Sequence, residues 1–579
     1  MSMRLRGLFP LVLCGLASTF ALACAADTSD EATTESAYTE GSDEARAILA
    51  LVNTPTVDAA ELVGEARVSQ AAADNIVAHR DGPDALPGTD DDDLFDDLRE
   101  LDAVREVGPA TLRRLYEYAK RKGLAGGTGG AEVEVVFSPQ PASASHLVKV
   151  AAEIDRAQSS IDIAMYSYSD ANITARLTAA AQRGVAIRFL YESGGKDSRA
   201  ANPQTTTSMR LENAGADVRY VNKVMHHKLM IVDGPRDDLS KARTARIVTG
   251  SANWSNSAAT RYDENTMFIG SSEALALQFQ REFDLLWTHS RDFVGKPFEH
   301  VLSTANIADR GIPESPNAGV FFTSSNFSVN GTTFTTTGSN TVANALVTAI
   351  ANATRSIHVA SGHLRSRPVA EALIAKKQAA PDVDVRVYLD NQEFISKSTH
   401  TTQVSKLNDC LAAATTEARR RDCTDKGFLF GYQVGEAGIE VRYKTYAYRW
   451  DHSYAPQMHH KYLVVDGTTL FSGSYNLSDN AEHGTFENML MFRGPESAAL
   501  VAAFEANFES MWGTGREEDK LSALLDRVEN ADVIPLVFDS MALTWSEVSD
   551  LKQRIRTNCS AADSAEYRRH AASHQTCPR

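Results

Sequence analysis

Apolar and polar positions fall into distinct regimes along the chain. From about Ala45 to Leu124 the apolar residues recur at helical spacing, as in the stripe Leu112, Leu115, Tyr116 and Ala119, which predicts a small all-helical domain over 45–124. From Val133 the texture changes. Short apolar runs of strand length alternate with helical stretches, and the alternation occurs twice. IDIAMYSYS and VAIRFLY bracket a helix in the first half; IHVASGHLR and VDVRVYL bracket one in the second. This β-α-β order predicts an α/β fold in each of two similar lobes, placed at 131–295 and 315–515. After Trp512 the segments SALLDRVENADVIPLVFD and WSEVSDLKQRIRT read as amphipathic helix, so 516–579 is expected to be a helical tail.

The first residues follow a different logic. Arg4 and Arg6 precede a mostly apolar stretch from Leu8 to Leu22, the layout of an export signal over 1–23. Two readings of Ala21-Leu22-Ala23-Cys24 stay open. Ala-Leu-Ala is a small-x-small cleavage site; alternatively Cys24 is lipidated, as in a bacterial lipoprotein, although Ala21 and Leu22 depart from that pattern. Either way the expected location is outside the bacterial cytoplasm: secreted, periplasmic or on the outer membrane. Residues 24–44 are small, polar and acidic, the composition of a disordered tether.

Composition narrows the classes. The 579 residues are 43% hydrophobic, which excludes a wholly disordered chain. Lys+Arg 58 against Asp+Glu 75 gives a net charge of −17, which argues against coating nucleic acid through bulk positive charge. An anionic ligand must then be held by a few placed cations. No apolar run in the body reaches the roughly 20 residues that span a bilayer. Cys410 and Cys423 lie 13 apart, and Cys559 and Cys577 lie 18 apart. Two local disulfides suit an oxidising compartment, and the absence of Cys/His metal spacing predicts no zinc site.

Within the helical domain, RVSQAAADNIVAHR (67–80) and EVGPATLRRLYEYAKR (106–121) resemble helix-hairpin-helix units, with Arg113, Arg114 and Lys120 around the apolar stripe. Glu106 and Arg67 stand where such hairpins carry their first glycine. From Asp43 to Lys122 there are 18 acids against 10 bases, which repels a polyanion. A packing or spacer domain is the competing reading. Asp90–Asp93 reads as a solvated acidic turn, because it lacks the ligand spacing of a calcium loop. GLAGGTGG (123–130) marks a linker.

One pattern occurs twice in the remainder. HHKLMIVDG (226–234) and HHKYLVVDG (459–467) each give His-x-Lys-x4-Asp around a strand-like apolar run. On a strand, His226 and Lys228 share one face, as do His459 and Lys461. Each copy leads to a Gly-Ser-x-Asn turn, GSANWS (250–255) and GSYNLS (473–478), and then to Glu264-Asn265 or Glu487-Asn488. Asn253 to Glu264 is 11 residues, and Asn476 to Glu487 is also 11. The adjacent His227 and His460 point to the opposite face and read as packing or polar-network residues.

These residue types suit phosphodiester chemistry. Lys228 and Lys461 supply cations for the anionic oxygens; Asn253 and Asn476 add neutral donors, assisted by Ser251 and Ser474. One neutral imidazole attacks phosphorus and the other donates a proton to the leaving oxygen. Glu264 and Glu487 accept from the other nitrogen of each histidine and fix its tautomer. Asp233 and Asp466 read as supporting residues that anchor the Asp-Gly turns. The scheme requires no metal and no cofactor.

The paired motifs resemble the phospholipase D superfamily, and the resemblance covers roughly 133–512. SSIDIAMYSYSDANITARLTAAAQRGVAIRFLYESGG also looks like its bacterial nuclease and mitochondrial branch. The resemblance implies two similar α/β lobes with both motifs at one shared site, a monomer that needs no second chain, His226 as nucleophile and His459 as acid. The first substrate reading is phospholipid, hydrolysed to phosphatidic acid at a membrane surface, with the aromatics Tyr446, Tyr448, Trp450 and Tyr454 lining a lipid groove. An exported nuclease acting on DNA or RNA is the alternative. A phosphatidyl transferase of the cardiolipin synthase type is a third.

Overall fold

The computed structural model describes residues 43–87, 89, 91–122, 132–294, 307, 312, 315–424, 427–517, 519–530 and 534–559. The export signal, Cys24, nearly all of the tether and Cys577 lie outside the described residues. The chain divides into two compact units, 1–126 and 127–579.

In the first unit, helices run Asp43–Val52, Ala59–Gly64, Gln70–Arg80, Leu98–Asp102 and Pro109–Arg121. Asp58, Ser69 and Asp97 cap three of them by accepting from backbone N–H groups of the first turn. Their apolar faces converge on a core that includes Ile48, Leu51, Leu62, Ile76, Leu101 and Leu115. Arg67 (φ 59°) and Glu106 (φ 69°) both hold left-handed backbone. The two turns therefore keep the conformation that the missing hairpin glycines would favour.

The second unit contains two eight-stranded mixed sheets of the same strand order. The first runs Glu132–Ser138, Glu264–Gly270, Arg246–Gly250, Lys228–Val232, Ser160–Met165, Ala186–Tyr191, Ala216–Tyr220 and Arg291–Asp292. The second runs Ala318–Phe322, Asn488–Arg493, Thr469–Gly473, Lys461–Val465, Ser356–Ser361, Asp384–Asp390, Glu440–Ala447 and Val537–Thr544. In both, the motif strand lies antiparallel beside the strand of the first β-α-β unit and is buried throughout. Covering both faces makes these strands apolar runs rather than alternating ones.

The lobes share one core. The helices Glu273–Thr288 and Ala498–Trp512 contribute Phe279, Phe283, Phe504 and Phe508 to a cluster that also holds Leu229 and Ile231 of the first sheet and Tyr462 and Val464 of the second. A continuous apolar interior fixes the lobes against each other, and so fixes the two motifs.

Two expectations need correction. The segment 516–579 is not helical throughout: Val537–Thr544 forms the edge strand of the second sheet, beside Glu440–Ala447. It takes the place that Arg291–Asp292 occupies in the first sheet. The motif strands also begin at the lysines, not at the histidines. The Cys410–Cys423 disulfide is present, with a Cα–Cα distance of 5.7 Å, and ties helix Lys397–Ala413 to helix Glu417–Thr424. Cys559 follows the helix Trp545–Asn558, while its expected partner Cys577 is not among the described residues.

Candidate active site

Each motif histidine sits just ahead of its strand, held by the opposite lobe. Val224–Met225 pairs with Thr485–Phe486, and the His226 N–H donates to the Phe486 carbonyl at 3.1 Å. Reciprocally, the His459 N–H donates to the Asp263 carbonyl at 3.0 Å. The residues that follow, Glu487 and Glu264, thereby reach the imidazoles across the interface. His226 Nδ1 lies 2.8 Å from Glu487 Oε2, and His459 Nδ1 lies 2.7 Å from Glu264 Oε1. Each glutamate serves the other lobe's histidine. With Nδ1 engaged by a carboxylate, Nε2 is the nitrogen of each ring left for a ligand.

The next residue repeats the exchange. Asn488 Nδ2 donates to His227 Nδ1 at 2.9 Å, and Asn265 Nδ2 donates to His460 Nδ1 at 3.0 Å. His227 and His460 are fully buried polar-network residues, although they precede the motif strands. His227 also donates through Nε2 to Glu282 at 3.2 Å.

Lys228 Nζ donates to the His226 carbonyl at 2.8 Å, and Lys461 Nζ donates to that of His459. Burial, with each lysine repelling the other's charge at Lys228, lowers Lys228 to about 7; burial lowers Lys461 to about 8. Burial raises Glu264 to about 8 and Glu487 to about 7, although the lysines pull both down. Burial and then the two lysines hold His226 and His459 well below the ordinary histidine range. The free site is thus poor in charge, and an anionic ligand would restore it.

Ser251 and Ser474 support the glutamates: their hydroxyls accept from the Asn265 N–H at 2.9 Å and the Asn488 N–H at 3.0 Å. The preceding glycines allow this approach, because a Cβ on Gly250 or Gly473 would meet the Asn265 or Asn488 carbonyl oxygen at 2.4 or 2.3 Å. Asn253 and Asn476 each keep a buried Oδ1 with no hydrogen-bond partner among the described residues. Asp233 and Asp466 are engaged by backbone, in keeping with a supporting role. Both adopt positive φ, and their carboxylates accept backbone N–H groups of Gln158, Ser159 and Ser160, or of Thr354, Arg355 and Ser356. They close the far end of the motif strand.

Two further carboxyls stand beside the motif histidines, outside the motifs themselves. Glu192 accepts the Met225 N–H at 2.6 Å, and Asp390 accepts the Met458 N–H at 2.8 Å. They occupy matched positions after VAIRFLY and VDVRVYL, so comparing the halves one residue further exposes them. Burial raises both to about 7. In the aromatic segment before the second motif, Tyr446 is set apart from the other three rings. Tyr446 is fully buried and donates to Asp390, while Tyr448, Trp450 and Tyr454 are only partly exposed.

The fold and this crossed pair of His-Lys motifs define a two-lobed phosphodiesterase-like architecture. The chain matches the family "Cardiolipin synthase, PLD-like domain" at residues 150–287 and 346–512, and it belongs to that family. Mitochondrial cardiolipin hydrolase of Drosophila melanogaster is 28% identical over 158 residues, 25% of this chain and 60% of that protein. The Danio rerio protein of the same name is 36% identical over 97 residues, 16% of this chain and 38% of that protein. Phospholipase D of Rickettsia conorii is 28% identical over 143 residues, 25% of this chain and 64% of that protein. The chain thus spans less than two thirds of these relatives. Among solved structures, phosphatidylserine synthase of Haemophilus influenzae is similar at 12% identity and a TM-score of 0.45, over 77% of this chain and 95% of that one.

Proposed function

We propose that the protein is an exported phosphodiesterase that hydrolyses phospholipid head-group esters to phosphatidic acid. The observation that carries this reading is the crossed pairing of His226 with Glu487 and His459 with Glu264, which leaves two Nε2 atoms and two lysines for one phosphate. His226 Nε2 attacks phosphorus, and the P–O bond to the head group breaks as His459 gives its proton to the leaving oxygen. His459 then takes a proton from water, whose oxygen displaces His226 and completes phosphatidic acid. Lys228 and Lys461 hold the nonbridging oxygens. One chain supplies every group, which supports a monomer as the working unit. The names of the relatives support lipid as the substrate class, and the acidic balance argues in the same direction.

A second reading has its own observation. In the helical unit, Arg67, Arg113, Arg114 and Arg121 line one cleft of about 360 Å³, with Glu65 and Glu117 among them. An arginine-lined cleft suits a nucleic-acid phosphate and favours the nuclease alternative. Purified protein incubated with phospholipid vesicles, plasmid DNA and single-stranded DNA separates the two. Phosphatidic acid release without nicking is the expected result. Nicking without lipid turnover overturns the lipid reading. Recovery of full-length protein from the cell interior only, with the signal uncleaved, overturns export.

A further inference from the structure

The lobes are close copies around the motif histidines, except where the strand beside each motif runs out into the site. Strand Ser160–Met165 continues into Tyr166 and Ser167; strand Ser356–Ser361 continues into Gly362 and His363. Both extensions are pinned alike. Tyr166 N–H donates to the His227 carbonyl at 3.0 Å, and Gly362 N–H donates to that of His460 at 3.1 Å. A little further on, the Ser169 N–H donates to the Trp254 carbonyl at 3.0 Å, and the Arg365 N–H donates to that of Leu477 at 2.7 Å. Positions 167 and 363 therefore lie between the motif histidine and the Gly-Ser-x-Asn turn of their lobes.

The occupants differ. In the first lobe the Tyr166 ring lies 4.6 Å from the His226 ring, and Ser167 follows. In the second, Gly362 is forced by contact: a Cβ there would lie 2.8 Å from the Met458 carbonyl oxygen and 3.6 Å from the His459 Cα. The next residue is an imidazole. His363 Nδ1 lies 3.0 Å from Glu393 Oε1, and the Glu393 side chain is fully buried. Glu393 also accepts from Arg365 Nε at 2.9 Å and Nη2 at 2.6 Å, and from the Leu364 N–H at 3.2 Å. Ser361 Oγ accepts the His363 N–H at 3.2 Å. The ring is thus fixed from one side, while its side chain stays 21% exposed and Nε2 has no hydrogen-bond partner among the described residues. The adjacent motif histidines His227 and His460 are fully buried, whereas His363 keeps part of its side chain exposed. The preceding Gly362 packs on the Met458 carbonyl and the His459 Cα, which sets His363 beside the second motif histidine.

We infer that His363 is a third imidazole of the active site, a substrate-binding residue whose Nε2–H donates to an oxygen of the bound phosphodiester while Glu393 holds Nδ1–H. It deepens the reading of this site as a phosphodiester site and rests on it. Only the second lobe carries this donor, so it breaks the pseudo-symmetry on the His459 side. No bond is made or broken at His363.

The test uses the full chain, inorganic phosphate and bis(p-nitrophenyl) phosphate, a diester without lipid. His363→Ser copies Ser167 of the first lobe, and His363→Gln retains one donor. Losing a hydrogen bond to a charged phosphate is expected to weaken phosphate binding in calorimetry by about tenfold or more in His363→Ser, with KM for the diester rising in step. His363→Gln is expected to fall between that variant and the unaltered protein. Unaltered phosphate affinity in whichever variant melts as the parent does overturns the proposal, as does a parent protein that binds no phosphate. Failure of the lipid reading shows separately, as absent vesicle turnover with phosphate binding and diester cleavage intact.

Discussion

His226 and Glu487 are 261 residues apart in sequence, yet the Nδ1–Oε2 distance is 2.8 Å. The pairing makes each half-site depend on the opposite lobe. A substitution at Glu487 should therefore act on His226 and leave the His459–Glu264 pair intact. Glu487→Gln keeps the size but removes the acceptor charge, and should lower kcat by about a hundredfold through His226. If His226 is the nucleophile, rapid-quench measurement should show slow formation of the phosphohistidine in Glu487→Gln. Trapping of the phosphoryl group on His459 instead of His226 would assign the roles the other way round.

Phosphate binding should take up protons. Lys228 near 7 and Lys461 near 8 are partly neutral in the free site at pH 7–8, because burial penalises their charged forms. An anion stabilises the protonated form of every group beside it, and Glu264 and Glu487 respond with the same sign. Affinity for inorganic phosphate should therefore fall as pH rises past about 8. Calorimetry in two buffers of different ionisation enthalpy measures the exchange directly. Net proton release on binding would contradict the charge assignment.

Much of the site was legible because the repeat carries it: His226 and Lys228, His459 and Lys461, and the equal Asn-to-Glu spacings all survive comparison of the halves. The direction of the Glu pairing was not legible. Both glutamates stand 11 residues after an asparagine, and only the packing of Val224–Met225 on Thr485–Phe486 decides which imidazole each one meets. The strand Val537–Thr544 was hidden for a related reason. Its first half alternates weakly at an exposed edge, and its apolar half reads equally well as helix until the neighbouring strand supplies the pairing. His363 lies in no motif, and a lone histidine beside an apolar run carries no signal without its Glu393 partner.

The two buried motif asparagines should not be equivalent. Asn265 is the partner of His460 Nδ1, and His460 Nε2 is buried with none. Asn488 bonds His227 Nδ1, but Glu282 still holds the other nitrogen of that ring. Asn265→Ala therefore leaves a buried imidazole without a partner at either end, at a cost of about 1–3 kcal/mol, whereas Asn488→Ala leaves one bond in place. Urea unfolding of the two variants should show the larger loss for Asn265→Ala. Equal losses would mean that the ring of His460 repacks or gains water.

The strongest purely structural dependence lies at Asp162, behind the first motif strand. Its side chain is 2% exposed between Arg188 at 0% and Arg236 at 7%. It accepts from Arg188 Nε and Nη2 at 2.6 Å each and from Gln280 Nε2 at 2.9 Å. Burial alone would raise its pKa, but Arg188 and Arg236 more than offset that and hold it well below the ordinary carboxylate range. The second lobe has His358 at the matched position, bonded to Glu505 and to Arg386, so the repeat keeps a polar network with an arginine here while replacing the carboxylate by an imidazole. Removing the carboxylate leaves Arg188 paired with Asp284 and Arg236 bonded to the Ile161 and Ala186 carbonyls, with the Asp162 ion pairs of both buried guanidinium groups broken, and Asp162→Ala should cost about 3–5 kcal/mol at neutral pH. The depressed pKa means that this contribution is complete above about pH 4 and is lost as pH falls below it. The gap between variant and parent in thermal melts should therefore narrow in acid, while phosphate affinity of the folded variant stays that of the parent. A gap that widens below pH 4 would show that Asp162 is not held as the anion.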